Sequence, residues 1–153
     1  VNNIEEPSAP LFGKMKEGDF KLYLADPGIL WGLIGEDSEA LLLDPKSDFQ
    51  KGMIFENSTA DILSSLNFPE EKNVFYYGRE NSFEIDFAVE IKGRPVLLEA
   101  KSSLNTRSRS LTLVRQQFPS AIAVRVSPKE GAKNGNLWSL PHYALPFLNR
   151  ILS

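Results

Sequence analysis

The chain has 153 residues, 42% of them apolar and 24% charged, a balance that fits one globular domain with a workable core. It has no cysteine and a single histidine, His142. This excludes a disulfide framework, a thiolate metal site and a cysteine nucleophile, and argues against a zinc site or a Ser-His-Asp triad. The lack of cysteine fits a reducing cytoplasm. No apolar run approaches the ~20 residues of a membrane span, and no signal peptide is visible.

The net charge of −3 argues against a general polyanion binder, but the charges are unevenly spread. Residues 1–100 carry 9 Lys/Arg and 19 Asp/Glu, whereas residues 101–153 carry 8 and 1. That asymmetry permits a basic face on a mildly acidic protein. A chance imbalance neutralised across the fold stays open.

Residues 1–19, polar and containing Pro7 and Pro10, read as a loose segment or linker ahead of a domain at 20–153. The start at Val1 reads as a cut from a longer protein. Phe20–Leu24 alternates like a short strand. Asp26-Pro27 is an N-cap followed by proline at the first helical position, which predicts a helix to about Ile34 with Gly35 as its stop. A second helix is expected from Ser47 or Asp48 to about Leu66. Its apolar stripe runs through Phe49, Met53, Ala60 and Leu63, and position 56 falls in the gap of that stripe. Glu56 is therefore expected to face inward, an unusual place for a carboxylate.

Three strands follow: Val74–Tyr77, Ile85–Val89 and Val96–Leu98, with Lys92-Gly93-Arg94-Pro95 as the turn between the last two. Residues 107–118 read as a helix and Ala121–Val126 as a strand. Residues 128–136 read as a loop and 137–140 as a short edge strand. The tail from Pro141 to Leu152 reads as helical after Pro146. This order predicts a mixed α/β fold: a central hairpin meander, one helical crossover and helices covering the sheet.

The charged residues of the central hairpin need an explanation, because burying carboxylates is unfavourable unless they are paired or bound. Glu99 and Lys101, two apart on a strand, share a face. Asp86, expected to point away from Ile85, Phe87 and Val89, can approach Glu99 across the hairpin. Glu56 could add a third carboxylate from the helix. Clustered carboxylates repel, so a cation favours their convergence. Mg²⁺, which takes oxygen ligands and keeps several waters, suits such a site. Lys101 would stabilise negative charge or position a water. The chemistry fits phosphodiester hydrolysis. The plain alternative is a solvated sheet face with a cross-strand ion pair.

Asp86 followed by Glu99-Ala100-Lys101 resembles the motif of the PD-(D/E)xK nuclease superfamily. Further stretches occur in the order seen in one branch: Phe20–Leu30, Phe55-Glu56-Asn57, Phe83–Phe87, Leu98–Ser103 and Leu140–Leu145. That branch is the C-terminal nuclease-like domain of uncharacterised prokaryotic AAA-type ATPases, and the resemblance covers roughly residues 10–148. It implies a restriction-endonuclease-like mixed central sheet flanked by helices. It implies Asp86, Glu99, the carbonyl of Ala100 and Glu56 around Mg²⁺ (or Mn²⁺), and Lys101 as the catalytic lysine. Where the superfamily has a proline before its first acid, this chain has Glu84-Ile85. The resemblance also implies an upstream ATPase as partner. No Gly-x-x-x-x-Gly-Lys-[Ser/Thr] loop occurs here, so no ATP site is expected in these residues.

The expected substrate is DNA, or RNA, contacted by Arg107, Arg109 and Arg79 through phosphates. For Arg107 and Arg109 the plain alternative is a helix start with hydroxyl caps. For Arg79 it is a surface ion pair. Tyr76, Tyr77, Phe75 and Phe83 could stack on bases, though core packing is the commoner use of such strand residues. Gln116 and Gln117 read as surface residues and His142 as structural. The competing function is a binding or regulatory module that keeps the fold without turnover.

Overall fold

The computed structural model describes residues 1–34, 48–66, 74–79, 82–103 and 108–153. It is a mixed α/β fold built on one eight-stranded sheet. The strands are β1 (Asn2–Ile4), β2 (Met15–Phe20), β3 (Phe75–Arg79), β4 (Phe83–Ile91), β5 (Arg94–Ala100), β6 (Ile122–Ser127), β7 (Ala132–Asn134) and β8 (Leu137–Pro141). Their order across the sheet is β2-β1-β3-β4-β5-β6-β8-β7. The helices are α1 (Pro27–Ile34), α2 (Asp48–Ser65), α3 (Arg109–Gln117) and α4 (Leu148–Ile151).

The centre forms as its sequence dictates. β4 and β5 are antiparallel, with Ile91 opposite Arg94. Lys92 (φ 52°) and Gly93 (φ 68°) between them both adopt the left-handed region. That is the two-residue turn whose twist matches a hairpin. β5 then crosses through α3 to β6, which lies parallel to it. Such a crossover needs a helix-length connection.

Each face of the sheet buries an apolar layer. On one, Ala60 and Leu63 of α2 pack with Phe87, Val89, Val96, Leu98 and Val124, and the C-terminal Leu145 and Leu148 close the layer. On the other, Leu111 and Val114 of α3 pack with Ile85, Ala88, Leu97 and Ala123.

β4 carries the feature that matters most for the site. Phe75 of β3 pairs with Ala88 and Tyr77 with Ile85, so three steps on β4 oppose two on β3. This bulge falls at Asp86 and Phe87. Ile85 and Ala88 accordingly lie in the α3-side layer, and Phe87 in the α2-side layer. Strict alternation put Ile85 and Phe87 on one face, with Asp86 opposite; the extra residue breaks it. Bulges re-aim side chains in this way.

Several expectations change. Residues 1–19 are not loose: they contribute β1, a 3₁₀ turn at Phe12–Lys14 and most of β2, and Ile4 and Leu11 are fully buried. β1 is inserted between β2 and β3, so tertiary pairing overrides a strand-poor composition. The strand expected at 20–24 ends at Phe20. The segment 137–140 is strand, but not the edge: β7, inside the expected loop, covers it. Phe49 is 75% and Met53 37% exposed, so only the C-terminal half of the predicted α2 stripe enters the core. Gly35 as a helix stop lies outside the described residues.

Candidate functional site

The hairpin and α3 build the first half of the site. β5 carries Leu97 and Leu98, both fully buried, into Glu99, which is 4% exposed. A carboxylate at that depth needs partners, and it has two. Lys101 Nζ lies 2.7 Å from Glu99 Oε1, and the Ser108 hydroxyl donates to Oε2. The shared face of residues two apart on a strand makes the first contact automatic. The second comes from the N-cap of α3: Ser108 Oγ also accepts from the Leu111 amide at 3.0 Å. One hydroxyl therefore caps a helix and fixes a carboxylate. The Lys101 amide donates to the Val126 carbonyl at 2.9 Å, which extends the β5–β6 pairing past Ala100.

Asp86 lies beside this pair. Its Oδ2 accepts from the Ala100 amide at 2.8 Å. Burial, and then the negative charge of Glu56, push its pKa up to about 7; the Ala100 amide and Lys21 work against that rise, and Glu99 adds to it. Asp86 thus feels both other candidate acids, as clustering requires.

The second half gathers around Glu56 on α2. Tyr23 donates to Glu56 Oε1 at 2.6 Å, and Lys21 Nζ lies 3.3 Å from the same oxygen. Lys21 also pairs with Glu84 of β4. Neither Lys21 nor Tyr23 sits in a regular element. Asn57, next to Glu56 and 4% exposed, holds the segment: its side chain accepts from the Leu24 amide at 2.8 Å and donates to the Leu24 carbonyl at 2.9 Å. It stands in for a strand partner. The Tyr23 ring packs on Phe87, centroids 5.5 Å apart, which directs its hydroxyl to Glu56. Burial and then Glu56 raise the Tyr23 pKa, so the phenol stays protonated. Burial lowers the Lys21 pKa, but Glu84, Glu56 and Asp86 outweigh it and the net shift is upward. Lys21 is therefore a cation.

Glu56 is 32% exposed in its side chain, half inward as the stripe predicted. It is engaged by Lys21 and Tyr23. Among the described residues, no group of three or more His, Cys, Asp or Glu side chains is placed to hold a metal ion together. Glu56 does not complete a three-carboxylate set with Asp86 and Glu99.

The remaining candidates spread out. Arg109 opens α3 and is exposed; Arg107 lies outside the described residues. Arg79 is exposed at the end of β3, its guanidinium 5.8 Å from the Tyr77 ring centre. Tyr76, Tyr77 and Phe75 are buried and Phe83 packs on the α3-side layer, so these aromatics serve the core. Gln116 and Gln117 are exposed. His142 packs on Phe55, ring centres 4.7 Å apart, and burial lowers its pKa.

Sequence reasoning missed Lys21, Tyr23, Asn57 and Glu84 as site residues. Their signals were present: Lys21 and Tyr23 are two apart, as are Glu84 and Asp86, and Asn57 adjoins Glu56. What no spacing contains is the contact between residues 21–24 and α2.

The family model described as "Domain of unknown function (DUF4143)" matches residues 51–143. The chain belongs to this family. The match takes in Glu56, the whole hairpin with Asp86, Glu99 and Lys101, and α3; Lys21 and Tyr23 precede it. Two mycobacterial proteins, both uncharacterized, are similar to this chain: one from Mycobacterium tuberculosis and one from Mycobacterium bovis. Each is 33% identical over 101 residues, which is 65% of this chain and 22% of the relative. The aligned part thus spans about a fifth of the length of these relatives. No solved structure matches the chain. Among the described residues, no helix is long and apolar enough to cross a membrane.

Proposed function

We propose that this domain hydrolyses phosphodiester bonds in DNA, or RNA, with Mg²⁺ or Mn²⁺, as the nuclease-like part of a longer ATP-driven protein. The observation that carries the reading is the hairpin terminus: buried Glu99 paired with Lys101, beside an Asp86 whose ionisation burial and Glu56 disfavour. The resemblance to the PD-(D/E)xK nuclease superfamily rests on these same residues. The far greater length of the mycobacterial relatives leaves room for the ATPase that the resemblance implies.

The donor set suits the ion. Mg²⁺ commonly takes one or two carboxylates and keeps its remaining waters, so a third carboxylate is not needed. Asp86, Glu99 and the Ala100 carbonyl would hold it. When bound, such an ion polarises a phosphoryl oxygen and lowers the pKa of its water. The chain's own groups supply the rest. Burial of Glu99 and the half-buried position of Asp86 limit how far bulk water screens their charge. Lys101, on the more open side of Glu99, brings a positive charge to a phosphate oxygen. Ser108 fixes the Glu99 carboxylate so that its orientation does not depend on Lys101. Arg109 and Arg79, both exposed, would contact backbone phosphates.

A second reading has its own support. Both Glu99 oxygens and Glu56 Oε1 already have partners within the chain, which suits a module that binds nucleic acid or a protein without turnover. Incubation with plasmid, single-stranded and branched DNA, with and without Mn²⁺, separates the two. Turnover predicts metal-dependent cleavage that is lost in Glu99→Ala and Lys101→Ala. Cleavage unchanged in those variants would overturn hydrolysis at this site, and binding with no cleavage under any metal would replace the hydrolytic reading with the second.

A further inference from the structure

Lys21 is the cation that the hairpin motif does not account for. It lies 3.3 Å from Glu56 Oε1, pairs with Glu84, and sits 5.1 Å from the centre of the Tyr76 ring. Its side chain is 24% exposed. A lysine ammonium sits at the end of a flexible four-carbon stem, yet here the backbone is fixed on both sides. The Lys21 amide donates to the Val1 carbonyl at 2.8 Å, and two residues on, Tyr23 is packed on Phe87 while Asn57 clamps Leu24. The ammonium is thus delivered to the acids, within electrostatic reach of Asp86.

We propose that Lys21 is a positioning residue: a resident counter-cation that holds Glu56 and Glu84 and, by its charge, sets how tightly Asp86 and Glu99 take a divalent ion. The inference rests on the metal reading above and deepens it. Two cations in one field of carboxylates weaken each other's binding, and the coupling is reciprocal. With the ion absent, Lys21 relieves repulsion among the acids. With the ion present, Lys21 still neutralises Glu56 and Glu84 while the ion neutralises Asp86 and Glu99, so the two cations repel across the site. Lys101 differs, because its carboxylate partner, Glu99, is itself one of the groups that would hold the ion.

Calorimetric titration of Mn²⁺ into the wild-type chain, Lys21→Met and Lys21→Arg tests this. Lys21→Met should bind Mn²⁺ roughly tenfold more tightly than wild type, because a neighbouring positive charge is gone. Lys21→Arg should match wild type. Without metal, Lys21→Met should melt lower than wild type, and Mn²⁺ should recover more of its Tm. Lys21→Gln repeats the charge removal if the methionine variant does not fold. Equal Mn²⁺ affinity in all proteins, with one constant Tm loss in Lys21→Met with and without metal, would make Lys21 a structural ion-pair residue and overturn the inference alone. No Mn²⁺ binding by any of them would overturn the metal reading itself, and the inference with it.

Discussion

The two halves of the site are built by different means. The Glu99 half is local: Lys101 is two residues away on the strand, and Ser108 is nine residues away at the cap of the next helix. The Glu56 half is assembled from afar: Tyr23 and Lys21 reach it across 33 and 35 residues of chain. The first is fixed by strand pairing and helix capping. The second is held by long-range contacts: Asn57 on Leu24, Tyr23 on Phe87 and Lys21 on Val1. A site with one rigid and one clamped side can keep its buried carboxylate in place while the other side adjusts to what binds.

Asp86 joins the halves, and the largest stability effect is expected there. Its folded pKa, about 7, lies above its ordinary 3.8. A raised carboxyl pKa contributes stability that is fully present below the ordinary value and lost as pH rises through the folded one. In metal-free buffer the protein should therefore lose stability between about pH 4 and pH 8, by at most about 4 kcal/mol from this group. Asp86→Asn, which keeps an oxygen for the Ala100 amide, should abolish that loss. His142, whose pKa burial lowers, works in the opposite sense, so the informative quantity is the difference between wild type and variant in urea melts across pH. A difference that does not vary with pH would show that the two halves are not electrostatically joined at Asp86.

Asn57→Ala tests the clamp. It removes two hydrogen bonds to the Leu24 backbone from a buried position, a loss of about 2 kcal/mol. It should also accelerate amide exchange in the segment from Lys21 to Leu24 while leaving the β4–β5 amides protected. Equal protection throughout would mean that Tyr23 on Phe87 suffices to hold the segment. Ser108→Ala tests the local half and should cost about 2 kcal/mol, roughly half from the lost N-cap and half from a buried Glu99 oxygen left without its donor. Its effect should be confined to α3 and to the Glu99–Lys101 pair, with the Glu56 half unmoved.

The same division explains what could be read from the sequence. The hairpin was legible because Lys92-Gly93-Arg94-Pro95 has the composition of a turn and the runs on either side are apolar. Glu99 with Lys101 was legible because a strand repeats every two residues. α1 was legible from Asp26-Pro27, and Asp26 does cap it, accepting from the Gly28 amide at 2.7 Å. The α/β class followed from the order of these elements. The bulge at Asp86 was not legible, because an extra residue is defined only against the partner strand. β1 was hidden for a related reason: a three-residue strand has too little pattern to declare itself, and it exists because β2 and β3 bracket it. Lys21 and Tyr23 stood in a segment that alternates like a strand, yet beyond the pairing of Lys21 with Val1 the partner that fixes it is a side chain, Asn57.

The central claim is that the hairpin terminus takes a divalent ion between Asp86 and Glu99. A crystal of this chain soaked in Mn²⁺, measured at a wavelength where manganese scatters anomalously, locates the ion directly. The account predicts one strong peak ~2.2 Å from oxygens of Asp86, Glu99 and the Ala100 carbonyl, with waters completing the shell and Glu56 outside it. A peak elsewhere, or none at the hairpin with Glu99 still held by Lys101 and Ser108, would contradict it.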